Sequence, residues 1–597
     1  MNPRNTWRWF IVAAVLFAFI LFQQHYLRKV GSGPVKVLPN LKAAQVTSVQ
    51  VRPAAQLEIR AERANGPWQL TEPLVYPAQA VSIEKLLAEL EALRPVPYIT
   101  SRELRNRPNT DEEYGFAAPQ ASIIIEQPGY TTRLRVGART SPGDQVFLQV
   151  VGMEGVYVVD ANFLNYLPRT ADDWRDTALI NVNGLAFDRL SVTNGTKIFE
   201  LRRDGTNKLW RMVYPLQARA NNPKVDQTLQ TLQSVRVRQF VSNDPKADME
   251  VYGLQPPELE LALGHGTNTF ARLQFGKSPT NDTRLVYARR LGLNAIVAVR
   301  KYLLAPWYAQ VNDFRDPFLL TWTAPIAVID VRGQDSFSLQ QTNDAWRVLP
   351  QDFPADAGLV RDLVSALRSL QIAEFTKDVA IGPELPTYGL AEPARQYILR
   401  SAATDSASGA TNPVIVEVDF GTNQADKVSA RRTDESCVYA VRLADYQRLP
   451  AASWEMRERL IWSLSTNDVA GATIRQQGRV RQIIRNGPHD WSLAPGSQGV
   501  INVVGVEETV SGLCRLAAVA WVGRGDQDRA RFGFTDNNDR VTLEFKNGQK
   551  VSVDFSSQAS PDLPYTVVTL DGQPWIFKFP AWLYDYMQRF LSVPPSP

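Results

Sequence analysis

Few residues of this 597-residue chain have both the type and the setting for chemistry. There are three histidines, His25, His265 and His489. A catalytic imidazole needs a partner that orients it within hydrogen-bond reach, and no pattern around these three supplies one. His265 stands in Gly-His-Gly and His489 in Pro-His-Asp, both turn settings, so solvated or capping roles are expected. Patterns that would bring a zinc ion, a redox pair or a nucleophilic serine (His-Glu-x-x-His, Cys-x-x-Cys, Gly-x-Ser-x-Gly) do not occur. Cys437 and Cys514 lie far apart in apolar settings and read as buried thiols, not as a disulfide or a ligand set.

Three further candidates fail on context. Gly276-Lys277-Ser278 has the ending of a phosphate-binding loop, but Ala271 stands where that loop needs glycine. Pro279 follows where a helix should open, so Gly276 reads as the end of a strand. Asp111-Glu112-Glu113 offers carboxylates for a metal or for acid–base work, yet it has no counterpart in the repeats described below and reads as a solvated loop. Arg524-Gly525-Asp526 is the tripeptide of integrin ligands, and three residues specify little. No catalytic, cofactor-binding or metal-ligating residue is assigned, no cofactor is expected, and the chain reads as a non-enzyme.

Composition points away from nucleic acid. The formal charge is +4, and Arg4, Arg8, Arg28 and Lys29, the only charged residues among the first thirty, account for all of it. The remainder is formally neutral, whereas a nucleic-acid binder carries a basic surplus or stripe in its folded part. With 44% hydrophobic and 21% charged residues the chain can bury substantial cores.

Trp9 to Phe22 is an unbroken apolar run, flanked by Trp7 and Arg8 before it and by Tyr26, Arg28 and Lys29 after it. That length and those flanks predict a transmembrane helix within residues 1–30. The small-residue site of a cleaved signal peptide is missing. Lysine and arginine are slightly more numerous after the run, which leans towards a cytoplasmic body, although long domains translocate regardless of so small a bias. A Gly/Pro-containing tether, 31–44, follows.

The elements that would position any site repeat. Trp68, Trp210, Trp346 and Trp491 each follow alternating apolar residues, at intervals of 142, 136 and 145 residues. After each comes one amphipathic helix face: Ile83, Leu86, Leu87, Leu90 and Leu93; Val225, Leu229, Leu232 and Val235; Leu359, Leu363, Val364, Leu367 and Leu370; Val506, Val510, Leu513 and Ala517. The repeated tryptophans are expected in the core rather than on a sugar-stacking surface. A second marker reads Tyr114-Gly115, Tyr252-Gly253, Tyr388-Gly389 and Phe532-Gly533, with Pro119, Pro256 and Pro393 following in the first three, as in a tight turn feeding a strand. Strand pairs come next, and the first three copies end in Arg175-Asp176, Arg315-Asp316 and Arg457-Glu458. The expected architecture is α+β: the transmembrane helix, then four tandem α+β units with antiparallel sheets, elongated. The units are 45–177, 178–320, 321–464 and a divergent 465–597, with a loop inserted at 401–412.

This order of anchor, Trp-x-Leu, helix, Tyr-Gly-Leu-x-x-Pro and closing Val-Tyr-x-Val strand resembles the bacterial membrane proteins grouped as domain of unknown function 4340. The first three units match well; the fourth departs, with Phe532 for tyrosine and no proline after Phe534. The resemblance implies a single-pass protein of the bacterial inner membrane with a periplasmic body. It further implies an accessory to ABC-type transport components of the gliding-motility kind, with no catalytic residues. The expected function is therefore a non-enzymatic accessory or scaffold protein of an ABC-type export or envelope system. Its expected partners are the membrane, through the N-terminal helix, and an ABC permease and ATPase or other envelope proteins. The alternative is an envelope polysaccharide-binding protein or glycan-active enzyme.

Overall fold

The structure, a computed structural model, describes residues 14–19, 36–63, 66–95, 98–105, 107, 109–141, 143–182, 186–343, 345–402, 412–556 and 564–592. The chain divides into two compact units, Met1–Arg315 and Asp316–Pro597, and each holds two antiparallel sheets.

In the first sheet, β1 (Ser48–Pro53), β2 (Ile59–Glu62), β3 (Gln69–Glu72) and β4 (Tyr76–Pro77) precede the helix Ala80–Ala92. β5 (Tyr98–Ile99), β6 (Ala121–Gln127), β7 (Tyr130–Arg139), β8 (Gln145–Val150) and β9 (Val156–Asp160) follow it. Their order is β4-β3-β2-β1-β6-β7-β8-β9-β5, so the helix carries the chain from one edge of the sheet to the other. Ile83, Leu86, Leu87 and Leu90 are fully buried on one helix face, and they meet strands whose side chains alternate between core and solvent, as along β6. Each such side chain contributes about 1.5–3 kcal/mol of hydrophobic burial. The second and third sheets repeat the nine-strand order. The fourth has eight strands in the same order, lacking only the counterpart of β4. The corresponding helices of the other sheets, Asn222–Ser234, Ala357–Arg368 and Val503–Cys514, bury the expected faces, except that Leu359, Val364 and Ala517 are half-buried and Val360 takes a core position. Trp68, Trp210 and Trp491 are buried, and Trp346 is half-buried.

Two parts of the expected architecture are corrected. The α+β class overstates the helices: antiparallel sheets of nine, nine, nine and eight strands dominate, with few helices against them. Two-residue strands such as Tyr76–Pro77 and Tyr98–Ile99 are too short to show alternation, so strand content is easily missed. The N-terminal transmembrane helix is also overturned, because no helix among the described residues is long and apolar enough to cross a membrane. Within the apolar run only residues 14–19 are described, as helix. Most of Trp9 to Phe22, His25 and the start of the tether lie outside the described residues, and the single-pass inner-membrane placement falls with the helix. The inserted loop also lies almost wholly outside them.

The Tyr-Gly marker is one half of a contact. Gly115, Gly253, Gly389 and Gly533 all have positive φ, between 64° and 77°, which glycine adopts without the Cβ penalty. The turn lies against a second glycine, which is within the strand Tyr130–Arg139 at Gly137, within Val414–Gln424 at Gly421 and just after Asn268–Phe275 at Gly276. A Cβ on Gly137, Gly276 or Gly421 would stand 2.1, 2.2 or 2.0 Å from the carbonyl oxygen of Tyr114, Tyr252 or Tyr388. In the first two cases that carbonyl accepts the next backbone N–H, from Ala138 at 2.7 Å and from Lys277 at 3.0 Å. The fourth unit solves the problem differently: Ser556 replaces the glycine, and its hydroxyl donates to the carbonyl of Phe532. Gly276→Ala should therefore cost about 2–3 kcal/mol, as backbone must move, whereas Ser556→Ala loses one hydrogen bond and should cost about 1 kcal/mol. Urea unfolding of the two variants, followed by tryptophan fluorescence, checks the order.

Candidate functional site

The residues singled out by type do not assemble. His265 is exposed on the end of the strand Leu259–His265, 3.2 Å from Asp188. His489 sits in a left-handed turn, exposed, 3.4 Å from Glu507. Glu507 also accepts from Arg485 at 2.8 Å. Glu507 and Arg485 both act electrostatically on Cys514, the nearest approach to a nucleophile, but burial lifts that thiol to about 11 and keeps it protonated. Cys437 is buried and donates to the carbonyl of Asp378 at 3.0 Å. Asp111, Glu112 and Glu113 are exposed in a single helical turn, and no cluster of metal-ligand type occurs among the described residues. Gly276 follows the strand Asn268–Phe275, and no helix opens after it. Arg524-Gly525-Asp526 joins a strand to a short helix, with Arg524 stacked on Trp575 at 5.0 Å.

Chain leaving one sheet is shared with the next. Asp176 N–H donates to Pro77 O at 2.8 Å and Gln79 N–H to Trp174 O at 2.7 Å, so the exit segment lines the outer side of β4. Two residues on, Val237 N–H donates to Thr177 O at 2.7 Å and Leu179 N–H to Val235 O at 3.3 Å, at the edge of the second sheet. Arg175 lies between the two sheets, fully buried, with its guanidinium 4.2 Å from the Tyr76 ring and 3.5 Å from that of Phe240. The junction of the third and fourth sheets is built alike: Arg457 lies 4.0 Å from the Trp575 ring and 5.1 Å from that of Phe353. There Arg459 reaches back to Asp356, Nε to Oδ2 2.7 Å, and Asp356 also caps the helix Ala357–Arg368 by accepting from Gly358 and Leu359.

The clearest recess with an unbalanced charge is on the second sheet. Antiparallel pairing sets Leu285 opposite Arg300 and Val237 opposite Val299, and Lys301 N–H donates to Arg284 O at 2.9 Å. Arg238, Arg284, Arg300, Lys301 and Tyr302 thereby line one groove of about 650 Å³. Asp282, the one acid there, is held by Arg284 through two contacts of 2.9 and 3.0 Å, which keep its carboxyl below the usual range. Among the described residues no carboxylate pairs with Arg238, Arg300 or Lys301; Lys301 Nζ reaches only the Ser278 hydroxyl, at 3.5 Å. In the first sheet the pair matching Leu285 and Arg300 is Gln145 and Asp160, so the basic character belongs to this unit. Spacing in sequence gives no hint of the groove, since its cations are up to 63 positions apart.

Fold and junctions together define a protein of repeated antiparallel β units that share extended segments. Its sequence matches the family described as Domain of unknown function (DUF4340) at residues 68–209, 210–393 and 346–528, well over half of the chain, and it belongs to that family. The three matches begin at Trp68, Trp210 and Trp346, so the family's frame opens at the repeat tryptophan rather than at the first strand of a sheet. No curated protein and no solved structure matches the chain.

Asp356 gives the junction a pH dependence. Burial raises its pKa, but Arg459 and the two backbone donors outweigh this and hold it below the ordinary value. A depressed carboxyl contributes stability that is complete above the unfolded value of about 3.9 and is lost as pH falls through the folded one. Asp356→Ala should cost about 1–2 kcal/mol at neutral pH through the lost cap and pair, and the difference from wild type should shrink below about pH 4. Urea midpoints across pH 3–7 measure it.

Proposed function

We propose that this chain is a non-enzymatic scaffold or accessory protein that acts through protein–protein contacts, and that the groove on its second sheet receives an acidic segment of a partner. The supporting observation is the trio Arg238, Arg300 and Lys301, without carboxylate partners among the described residues, in a recess of about 650 Å³. Opposite charge on a partner would complement it and speed encounter. A local patch on a formally neutral body favours an acidic peptide over nucleic acid, which calls for a longer basic stripe. Repeated units suit such a role because they multiply surface for partners. The family resemblance directs the search to ABC-type permease and ATPase components. Glycan binding has less support: three of the four repeat tryptophans are buried and offer no stacking face.

Arg300 and Lys301 are both exposed, so the double variant Arg300→Glu, Lys301→Glu should fold normally. In affinity purification at native expression, wild type should recover a stoichiometric protein partner and the variant should lose it, with affinity down at least tenfold and steep salt dependence. Equal recovery by both would refute the groove's role, and recovery of no partner by wild type would refute the scaffold reading.

A further inference from the structure

The fourth sheet differs from the others at one edge. In the first three, the strand that begins at or just after the repeat tryptophan, or contains it, is covered by a two-residue strand: Tyr76–Pro77, Ala218–Arg219 and Phe353–Pro354. Each of those is covered in turn by exit chain, as in Asn221 N–H to Phe314 O at 2.8 Å and Glu458 N–H to Pro354 O at 2.8 Å. The corresponding strand of the fourth sheet, Asp490–Leu493, pairs with Arg479–Gly487 on one side and ends the sheet. Residues 494–502 form no strand. Both covering layers of the sibling sheets are absent here among the described residues.

Pairing phase identifies the groups left open. In the first sheet Ala78 N–H donates to Trp68 O at 3.0 Å and Leu70 faces Tyr76, so the tryptophan and the residue two places on turn their backbone groups outward. In the fourth sheet Ala494 N–H donates inward to Gln482 O at 3.0 Å. By alternation Ser492 also faces inward, and Trp491 and Leu493 face out. An open strand edge is a template for another strand. Ile484, opposite Ser492 on the neighbouring strand, leaves apolar surface beside it, 40% exposed.

We propose that Asp490–Leu493 is a docking edge for an extended segment of a partner protein, which pairs antiparallel in the place that Tyr76-Pro77-Ala78 and Phe353-Pro354-Ala355 hold in their own sheets. Those two segments state the chemistry: an aromatic residue that is buried, a proline whose missing N–H costs no inward bond, and a buried alanine. The occupied edges of the sibling sheets are the established form of this interface, and the fourth edge is the same interface left open.

The probe is a fluorescein-labelled peptide of sequence Gln-Asp-Phe-Pro-Ala-Asp, identical to residues 351–356, added to the full chain, with a scrambled peptide as control. Expected are saturable anisotropy for the native order alone and amide exchange at Leu493 slowed at least tenfold by saturating peptide. Leu493→Pro removes the outward N–H and leaves the inward ladder intact, so it should weaken binding at least tenfold with an unchanged thermal midpoint. If that variant unfolds, exchange in the wild type decides alone. Absence of peptide-dependent slowing at Leu493 overturns the proposal. So does slowing at Leu70 or Val348 instead, which would mean exchange with a resident strand, or protection of Leu493 by self-association seen in sedimentation. The edge is remote in sequence from the basic groove, and Arg300→Glu, Lys301→Glu should bind the peptide as wild type does, so the two ideas fail separately.

Discussion

One apolar helix face, laid across a sheet from edge to edge, sets most of what else the unit does. Because Ile83, Leu86, Leu87 and Leu90 must leave water together, the helix has to lie on the sheet, and its thirteen residues deliver the chain to the far side. Strands before the helix therefore build one half of the sheet and strands after it the other, with β1 and β6 meeting in the middle. The short β4 and β5 become the two edges for the same reason, since they are the residues at which the chain enters and leaves the crossing. Edges this short would be poor templates for aggregation, and at the β4 edge the exit segment closes the remaining backbone groups.

That closure makes the first sheet depend on the second's approach, and the third on the fourth's. Arg175 shows how the junction is specified. Its Nε and Nη2 are buried with no hydrogen-bond partner, and only Nη1 reaches a carboxylate, Asp172 at 3.1 Å. An ammonium buried this way would lose more hydration, because a guanidinium is planar and weakly hydrated and stacks on aromatic faces. The rings of Tyr76 and Phe240, one from each sheet, supply that stacking. Arg457 repeats the arrangement with tryptophans, and there Asp571 at 3.2 Å takes Nη2 while Nη1 stays unpaired. Incomplete satisfaction of a buried cation is weak evidence for stability; a charge that only one pair of aromatic surfaces accommodates is a better device for fixing which faces meet.

Much of this was legible in the residues. The tryptophan intervals and the four helix faces follow from local periodicity, which the sheets reinforce. The Tyr-Gly turns were legible because positive φ selects glycine at a fixed place. Gly276 reads as the end of a strand, but the reason for it and for Gly137 and Gly421, a carbonyl about 2 Å from a notional Cβ, comes from a contact between positions 23 to 33 apart. The two-residue strands left no period to read, which is why the balance tipped towards α+β. The basic groove was invisible for a stronger reason: Arg238, Arg284 and Arg300 meet only through ladder register, and no local rule links them.

Divergence in the fourth unit follows the same logic. Phenylalanine for tyrosine at 532 and serine for glycine at 556 look like decay when read singly, yet the serine hydroxyl and the Phe532 carbonyl bond to each other, so the turn survives by a second solution. The missing counterpart of β4 is different in kind, because among the described residues nothing in that sheet replaces it. In the other three units the β4 position is held from both sides, by the tryptophan-marked strand and by the exit chain. A two-residue strand held from one side alone would keep only one ladder neighbour, and so short a pairing does not offset the ordering entropy of its residues. Among the described residues the strand Asp490–Leu493 has neither covering layer, and the outward-facing backbone of Trp491 and Leu493 is the consequence.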